Sequence, residues 1–173
     1  MTRHYSAALP VAYVLLRVLV ILNWLFGAVI LALLLLSPNE QWIMSAFKLT
    51  PSPDTTHLIW GLRAVAALGL ATIPLNHMIF KRLIAMVETV RAGDPFVPAN
   101  ADRLQAIAWI LAALQVVSLV IAGIGKAVST PAHPLHLDAG FSVGGWLAVL
   151  FAFILARVFA EGTLMRADLD GTI

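Results

Sequence analysis

The chain has 173 residues, of which 61% are hydrophobic and only 12% are charged, and its formal net charge is +2. A soluble domain usually carries about 25% charged residues, so this composition leaves too little polar surface to cover a globule in water. The absence of cysteine excludes disulfides, thiolate metal sites and cysteine nucleophiles. The small positive charge is typical of basic residues on the cytoplasmic segments of a membrane protein, so we expect no direct binding of nucleic acid.

Four apolar stretches are long enough to cross a bilayer, which takes about 20 helical residues. Only helices and closed barrels satisfy their backbone polar groups in lipid, and none of these stretches alternates as barrel strands do. The sequence therefore predicts an all-α, polytopic membrane protein with one domain over residues 1–173. We expect a four-transmembrane-helix bundle with cytoplasmic helical extensions and spans at residues 11–36, 58–80, 104–125 and 141–160.

The basic residues outside these spans predict the orientation. If the N-terminus is inside, the inner segments hold six of them, namely Arg3, Lys81, Arg82, Arg91, Arg103 and Arg166. The outer loops then hold only Lys48 and Lys126. Since Lys and Arg concentrate on the cytoplasmic side, we expect both termini to be cytoplasmic.

The outer side has two loops. Residues 37–40 match a capping box, with Ser37 as the N-cap and Pro38 at the first position of a short interfacial helix. In the second loop, Gly140 and Gly144 have the spacing of a close helix contact at the start of the fourth span.

The inner side is more structured than a simple connector. Within the extension and loop of residues 81–103, apolar residues recur at helical spacing, so we expect the second helix to continue beyond the membrane. Gly93 is placed to end this helix, and Asn100 is placed to cap the third. Residues 161–173 form a cytoplasmic tail.

Polar residues within the spans are candidates for function. We expect Asn23 to bond between helices, Arg157 to pair with Glu161, and Arg17 to reach the inner interface with its long side chain. Arg63 either reaches the outer interface or pairs inside the bundle. The intramembrane polar set is Asn23, Arg63, Asn76, His77 and Arg157.

Metal, haem and catalytic sites have little support. His133, His136 and Asp138 in the second outer loop have a metal-like spacing, and His57 enters the second span on the same side, but a zinc site needs three or four converging ligands. Haem would need histidines paired across two helices at one depth. The sequence shows neither a phosphate-binding glycine loop nor a nucleophile–base pair. We expect no metal, no cofactor and no catalytic residue.

Two strings on the inner side carry a family resemblance. The first is Gly93-Asp94-Pro95-Phe96 followed by Asn100, Arg103 and Leu104, and the second is Phe159-x-Glu161-Gly162-x-Leu164 with the terminal Asp-Leu-Asp-Gly-Thr-Ile. Together they resemble the YoaS-like bacterial family of small four-helix membrane proteins, which is catalogued as a domain of unknown function. The resemblance implies a bacterial inner membrane location. Genes of this family often lie beside a Cro/CI-type helix-turn-helix regulator.

The resemblance and the inner position of both strings favour a non-enzymatic membrane protein that binds, and restrains, a cytoplasmic helix-turn-helix transcription factor. The candidate partner-binding residues are Arg91, Gly93, Asp94, Pro95, Phe96, Asn100, Arg103, Glu161, Gly162, Leu164, Asp168 and Thr172. The two strings could instead pack on each other and only close the bundle. The alternative function is handling of a small molecule or ion through Arg63, Asn76 and His77 near Pro74. The lipid bilayer is an expected partner, and four helices are enough for a monomeric bundle while still allowing a homo-oligomer.

Overall fold

A computed structural model describes residues 8–36, 38–47, 53–130 and 137–170. This part of the chain is helical and contains no strand. It forms five helices: α1 (Ala8–Leu36), α2 (Glu40–Phe47), α3 (Pro53–Arg91), α4 (Pro98–Val128) and α5 (Val143–Asp170).

Four of these helices, α1, α3, α4 and α5, are long and apolar enough to cross a membrane. Their outer surfaces carry large apolar side chains, for example Phe26 and Leu35 on α1, which are 63% and 72% exposed. Water tolerates only small apolar patches of this kind, whereas lipid does not penalise them. The predicted all-α membrane fold is confirmed.

Each long helix extends beyond its predicted span. The predicted continuation of the second span is confirmed, because α3 runs unbroken for 39 residues and includes Pro74 in its interior. Proline lacks the backbone N–H that would bond one turn back, and neighbouring groups can compensate in a membrane helix. The helix of the fourth span, α5, likewise continues past the predicted boundary at residue 160 and ends at Asp170.

The chain divides into two compact units. The first comprises Met1–Asn23, Leu75–Ala112 and Val143–Ile173, and the second comprises Trp24–Pro74 and Ala113–Ser142. In the first unit the buried side chains include Ile79, Leu104, Ile107, Ala108 and Ala152.

Close helix contacts in the second unit depend on glycine. A methyl group added at Gly61 would lie 2.6 Å from Cγ1 of Val128, and one at Gly27 would lie 3.1 Å from the side chain of Ile73. Small residues at helix contacts let backbones approach, which favours association where no hydrophobic effect acts between helices. These glycines therefore set the packing of the second unit.

The segments before α2 and before α5 differ in part from the predictions. Asn39 caps α2, since its Oδ1 accepts a 3.1 Å hydrogen bond from the backbone N–H of Trp42. The helix begins at Glu40, so the prediction of Pro38 as its first residue is wrong, and Ser37, the predicted cap, lies outside the described residues.

Gly140 precedes α5 with a φ of +128°, and no side chain or other backbone lies within 4 Å of a methyl group built on Gly144. A methyl group on Gly140 would lie 3.3 Å from Cβ of Ala122 on α4, so the close helix contact predicted for this glycine pair is found at Gly140 and not at Gly144.

Candidate functional site

The end of α3 is a glycine-dependent stop. Gly93 has a φ of +86°, its N–H bonds to the carbonyl of Val90, and the N–H of Asp94 bonds to the carbonyl of Thr89, both at 3.0 Å. These two bonds define a Schellman motif, which satisfies the last carbonyls of a helix when the following residue is left-handed. The prediction for Gly93 is confirmed.

The start of α4 differs from the prediction. The helix begins at Pro98, two residues before Asn100, so Asn100 lies inside the first turn and does not cap it. Proline suits the first helical position because its fixed φ is already helical and its missing N–H would have had no helical partner there. The side chain of Asn100 is thereby released for contacts with other segments.

Asn100 is fully buried and joins three segments. Its Nδ2 donates to Oγ1 of Thr89 at 2.7 Å and to the carbonyl of Pro95 at 2.8 Å, while its Oδ1 accepts from Nη1 of Arg103 at 2.7 Å. Thr89 donates in turn to the carbonyl of Met86. A buried amide whose N–H and C=O groups are both hydrogen-bonded stabilises one arrangement of the segments, since any other arrangement leaves buried polar groups unpaired.

The second string lies directly against the first. The rings of Phe96 and Phe159 have centroids 5.4 Å apart, and a methyl group at Gly162 would lie 2.9 Å from Cδ1 of Phe96. The missing side chain of Gly162 is what lets the Phe96 ring reach α5. The two strings therefore pack on each other, as one of the two sequence interpretations held.

An ion pair reinforces this contact. Nη1 of Arg166 on α5 donates to Oδ1 of Asp94 in the turn after α3. Both side chains remain nearly half exposed, so the pair adds less than about 1 kcal/mol. We call the assembled residues the turn cluster: Thr89, Asp94, Pro95, Phe96, Asn100, Arg103, Phe159, Gly162 and Arg166.

The last turns of α5 present a second face. Phe159, Gly162 and Arg166 are spaced three and four residues apart and share the face that meets the turn. The opposite face holds four exposed residues at the same helical spacing, and Leu164 and Met165 among them are 61% and 62% exposed. We call these four residues the outward strip: Glu161, Leu164, Met165 and Asp168. Thr172, another predicted partner-binding residue, lies outside the described residues.

Arg91 takes part in a separate arrangement with α1. The Tyr13 ring has the guanidinium carbons of Arg17 and Arg91 at 5.3 and 5.5 Å from its centroid, and the Tyr13 hydroxyl accepts a 2.8 Å bond from Nη2 of Arg17. Guanidinium groups within about 6 Å of an aromatic centroid are attracted to it. Arg17 also lines an open cleft of about 270 Å³, which we call the basic cleft: Arg17, Val20, His77, Lys81 and Ile84.

The intramembrane polar residues are divided between the two units. Arg63 belongs to the second unit and stacks on Trp60, with its guanidinium carbon 4.9 Å from the ring centroid. Asn23 and Asn76 are half-buried in the first unit, where His77 lines the basic cleft.

The predicted ion pair of Arg157 and Glu161 is confirmed by a 2.7 Å contact between Nη2 and Oε1. The Arg157 side chain is 79% exposed, so the pair lies on the surface of α5. Its effect on stability is therefore small.

Within the residues that the structure describes, no three His, Asp or Glu side chains converge as a metal ion would require. His57 is exposed on α3. His133 and His136 lie outside the described residues.

Sequence reasoning missed several residues of these arrangements. Tyr13 lies four residues before Arg17 on α1, and this spacing was the available signal for their contact. Arg166 was considered only as one of the basic residues that indicate the orientation, and Thr89 was not considered as a site residue. Their partners lie 72 and 11 residues away in sequence, so no local pattern reveals them.

The four long apolar helices define a multi-pass α-helical membrane protein. The family model described as "Protein of unknown function (DUF2975)" matches residues 43–173, which is more than half of the chain, and the chain belongs to this family. The match includes the whole turn cluster and leaves out α1. No curated protein and no solved structure matches the chain.

Proposed function

We propose that this protein is a non-enzymatic membrane regulator that binds a cytoplasmic helix-turn-helix transcription factor through the outward strip on α5. One observation carries the proposal: α5 continues beyond its apolar stretch and exposes Leu164 and Met165 on a segment that also carries Glu161 and Asp168. Exposed apolar side chains flanked by charges are typical of an interface core with a polar rim.

The turn cluster supports this proposal by fixing the strip. Gly162 and Arg166 attach one face of α5 to the turn after α3, so the opposite face points away from that contact. A binding surface that is already ordered loses less conformational entropy on association. Of the predicted partner-binding residues, Asp94, Phe96 and Gly162 thus hold the platform, whereas Glu161, Leu164 and Asp168 lie on its exposed face.

The side of the membrane is part of the proposal. Arg91, Arg103 and Arg166 lie on the segments that form the turn cluster and the end of α5, and basic residues concentrate on the cytoplasmic side. A transcription factor is available only there. The resemblance to the YoaS-like family, with its neighbouring helix-turn-helix genes, supplies the class of partner.

The chemistry of the strip is compatible with this class. A helix-turn-helix protein carries a basic surface for the phosphates of DNA. Glu161, whose carboxylate also pairs with Arg157, and Asp168 add negative charge beside the apolar anchors Leu164 and Met165. Binding there would occupy the surface that DNA needs and so restrain the factor.

The test is co-purification of the full chain from native membranes, followed by identification of bound helix-turn-helix proteins by mass spectrometry. We expect the wild type to recover one such protein and Leu164→Ser/Met165→Ser to lose it. The matched control is Ala167→Ser, which changes an exposed residue on the same turn outside the strip.

Transcript levels provide the second measurement. Deletion of the gene, and the double serine variant, should change the same set of transcripts in the same direction. Recovery of no helix-turn-helix protein together with unchanged transcripts on deletion would refute the proposal.

A further inference from the structure

We infer that the basic cleft binds a phosphate group, and that its source is the headgroup of an anionic phospholipid. This inference rests on α1 and α3 in the first unit and does not depend on the proposed regulator. The cleft has a volume of about 270 Å³, which leaves room for a phosphate and its glycerol.

The two walls of the cleft carry matching stripes. On α1, Arg17 and Val20 are three residues apart, and on α3, His77, Lys81 and Ile84 are four and three residues apart. Such spacings place side chains on one face of a helix. Each wall therefore presents at least one basic group beside one aliphatic side chain. A phosphate ester can contact both, because it carries an apolar group beside its charged phosphate, whereas a free phosphate ion can use only the basic group.

The two permanent cations of the cleft, Arg17 and Lys81, form no ion pair within the described part of the chain. Arg17 instead donates through Nε and Nη2 to the hydroxyl of Tyr13, at 3.2 and 2.8 Å, which holds the guanidinium in place. A positioned guanidinium and a lysine are the usual protein ligands of phosphate oxygens.

The sequence places both cations at the depth of lipid headgroups. Residues 18–36 and 64–80 contain no charged side chain, and at 1.5 Å per residue each is about as long as the hydrocarbon core is thick. Arg17 directly precedes the first stretch and Lys81 directly follows the second. Because both residues line the basic cleft, we place the cleft at the edge of the hydrocarbon core, where the phosphates of phospholipids lie.

A basic cleft between transmembrane helices is a site where acidic headgroups bind. A lipid can enter it sideways from the bilayer, with its acyl chains along the exposed apolar flanks of α1. A soluble phosphate ester would gain the same polar contacts but nothing from the apolar surroundings. The lipid is therefore the favoured source.

The experiment is native mass spectrometry of the full-length protein, released from detergent micelles that contain either phosphatidylglycerol or phosphatidylcholine with the same acyl chains. We expect the wild type to retain phosphatidylglycerol about tenfold more than phosphatidylcholine. In Arg17→Gln/Lys81→Gln this preference should disappear.

The matched control is Arg82→Gln/Lys126→Gln, which removes one arginine and one lysine that do not line the cleft. It should keep the wild-type preference. Circular dichroism and size-exclusion chromatography check that every variant is folded. Lys81→Glu, a single change at an exposed position, provides a second test if the double variant fails to fold.

Unchanged lipid preference in Arg17→Gln/Lys81→Gln, or in Lys81→Glu, would overturn the inference. Equal loss in the control would overturn it too, because the effect would then be one of overall charge. A calorimetric titration with glycerol phosphate in lipid-free detergent separates the sources. Weak binding supports the lipid, whereas tight binding that added phosphatidylglycerol does not displace overturns the assignment to lipid.

Discussion

The two loops that flank α4 are held by different chemistry. The turn between α3 and α4 is stabilised by side chains, with Asn100 bonded to Thr89, Pro95 and Arg103. In the described part of the connection between α4 and α5, a hydroxyl bonds to the backbone: Oγ of Ser118 accepts from the N–H of Gly140 and donates to its carbonyl at 3.0 and 3.2 Å.

The difference lies in how many segments each contact joins. In the first loop, a single buried amide satisfies groups on three segments, so its identity matters and its loss affects all three. In the second, the Ser118 hydroxyl bonds to the backbone of one residue, Gly140, and Leu137 covers Gly125 with apolar atoms. Loss of this hydroxyl therefore leaves the polar groups of a single residue without these bonds.

The largest effect is expected for Asn100→Leu. Leucine has the same number and branching of side-chain heavy atoms but leaves Thr89 Oγ1, the Pro95 carbonyl and Arg103 without their bonds, which should cost about 3 kcal/mol of unfolding free energy. Denaturant titration in detergent micelles measures it. Gln105→Leu, an exposed change on the same helix, is the control and should have little effect. Equal stability of the two variants would show that the network contributes nothing.

Gly162→Val should come next. Its Cβ would lie within 3 Å of the Phe96 ring, so the ring must move and the variant should lose about 2 kcal/mol. Gly144→Ala is the control, because a methyl group there meets nothing and favours the helix by up to about 1 kcal/mol. If Gly162→Val melts at the wild-type temperature, the contact between the two strings is not tight.

Ser118→Ala tests the other loop. Two bonds to the backbone of Gly140 disappear, and we expect a loss of about 1 kcal/mol, since hydrogen bonds between membrane helices are individually weak. Ser45→Ala serves as control, because Ser45 is exposed and its hydroxyl bonds to the carbonyl of Trp42, one turn back on the same helix α2. A loss larger than that of Asn100→Leu would reverse the proposed contrast between the loops.

The general fold could be predicted from the sequence, because hydropathy over about 20 residues is a local property. The stop at Gly93 was also predictable, since it depends on one residue type after a helix. The role of Asn100 was not. A polar residue before an apolar run looks like an N-cap, but Pro98 starts the helix two residues earlier.

The rest of the site depends on contacts between distant segments. Gly162 was recognised within a motif, but only the structure shows that the Phe96 ring occupies the space above it. The partner of Asp94 is 72 residues away, and several other arginines of the chain would have served equally well by charge alone.

The smallest effect is expected for Asp94→Asn. The ion pair with Arg166 is nearly half exposed, so its loss should cost less than about 1 kcal/mol and should be smaller still at high salt. A double-mutant cycle with Arg166→Gln measures the coupling between the two side chains. A coupling energy above about 1 kcal/mol would contradict the prediction and show that this ion pair contributes strongly to the stability of the turn.

The length of α3 bears on both proposals. After the uncharged stretch ends at Phe80, the helix continues for 11 residues to Arg91, which is about 16 Å. If the proposed lipid site lies at Lys81, the turn at Gly93 is one such length farther from the hydrocarbon core along the helix axis. One uninterrupted helix would then act as a spacer between a lipid bound at the cleft and a protein bound near the turn.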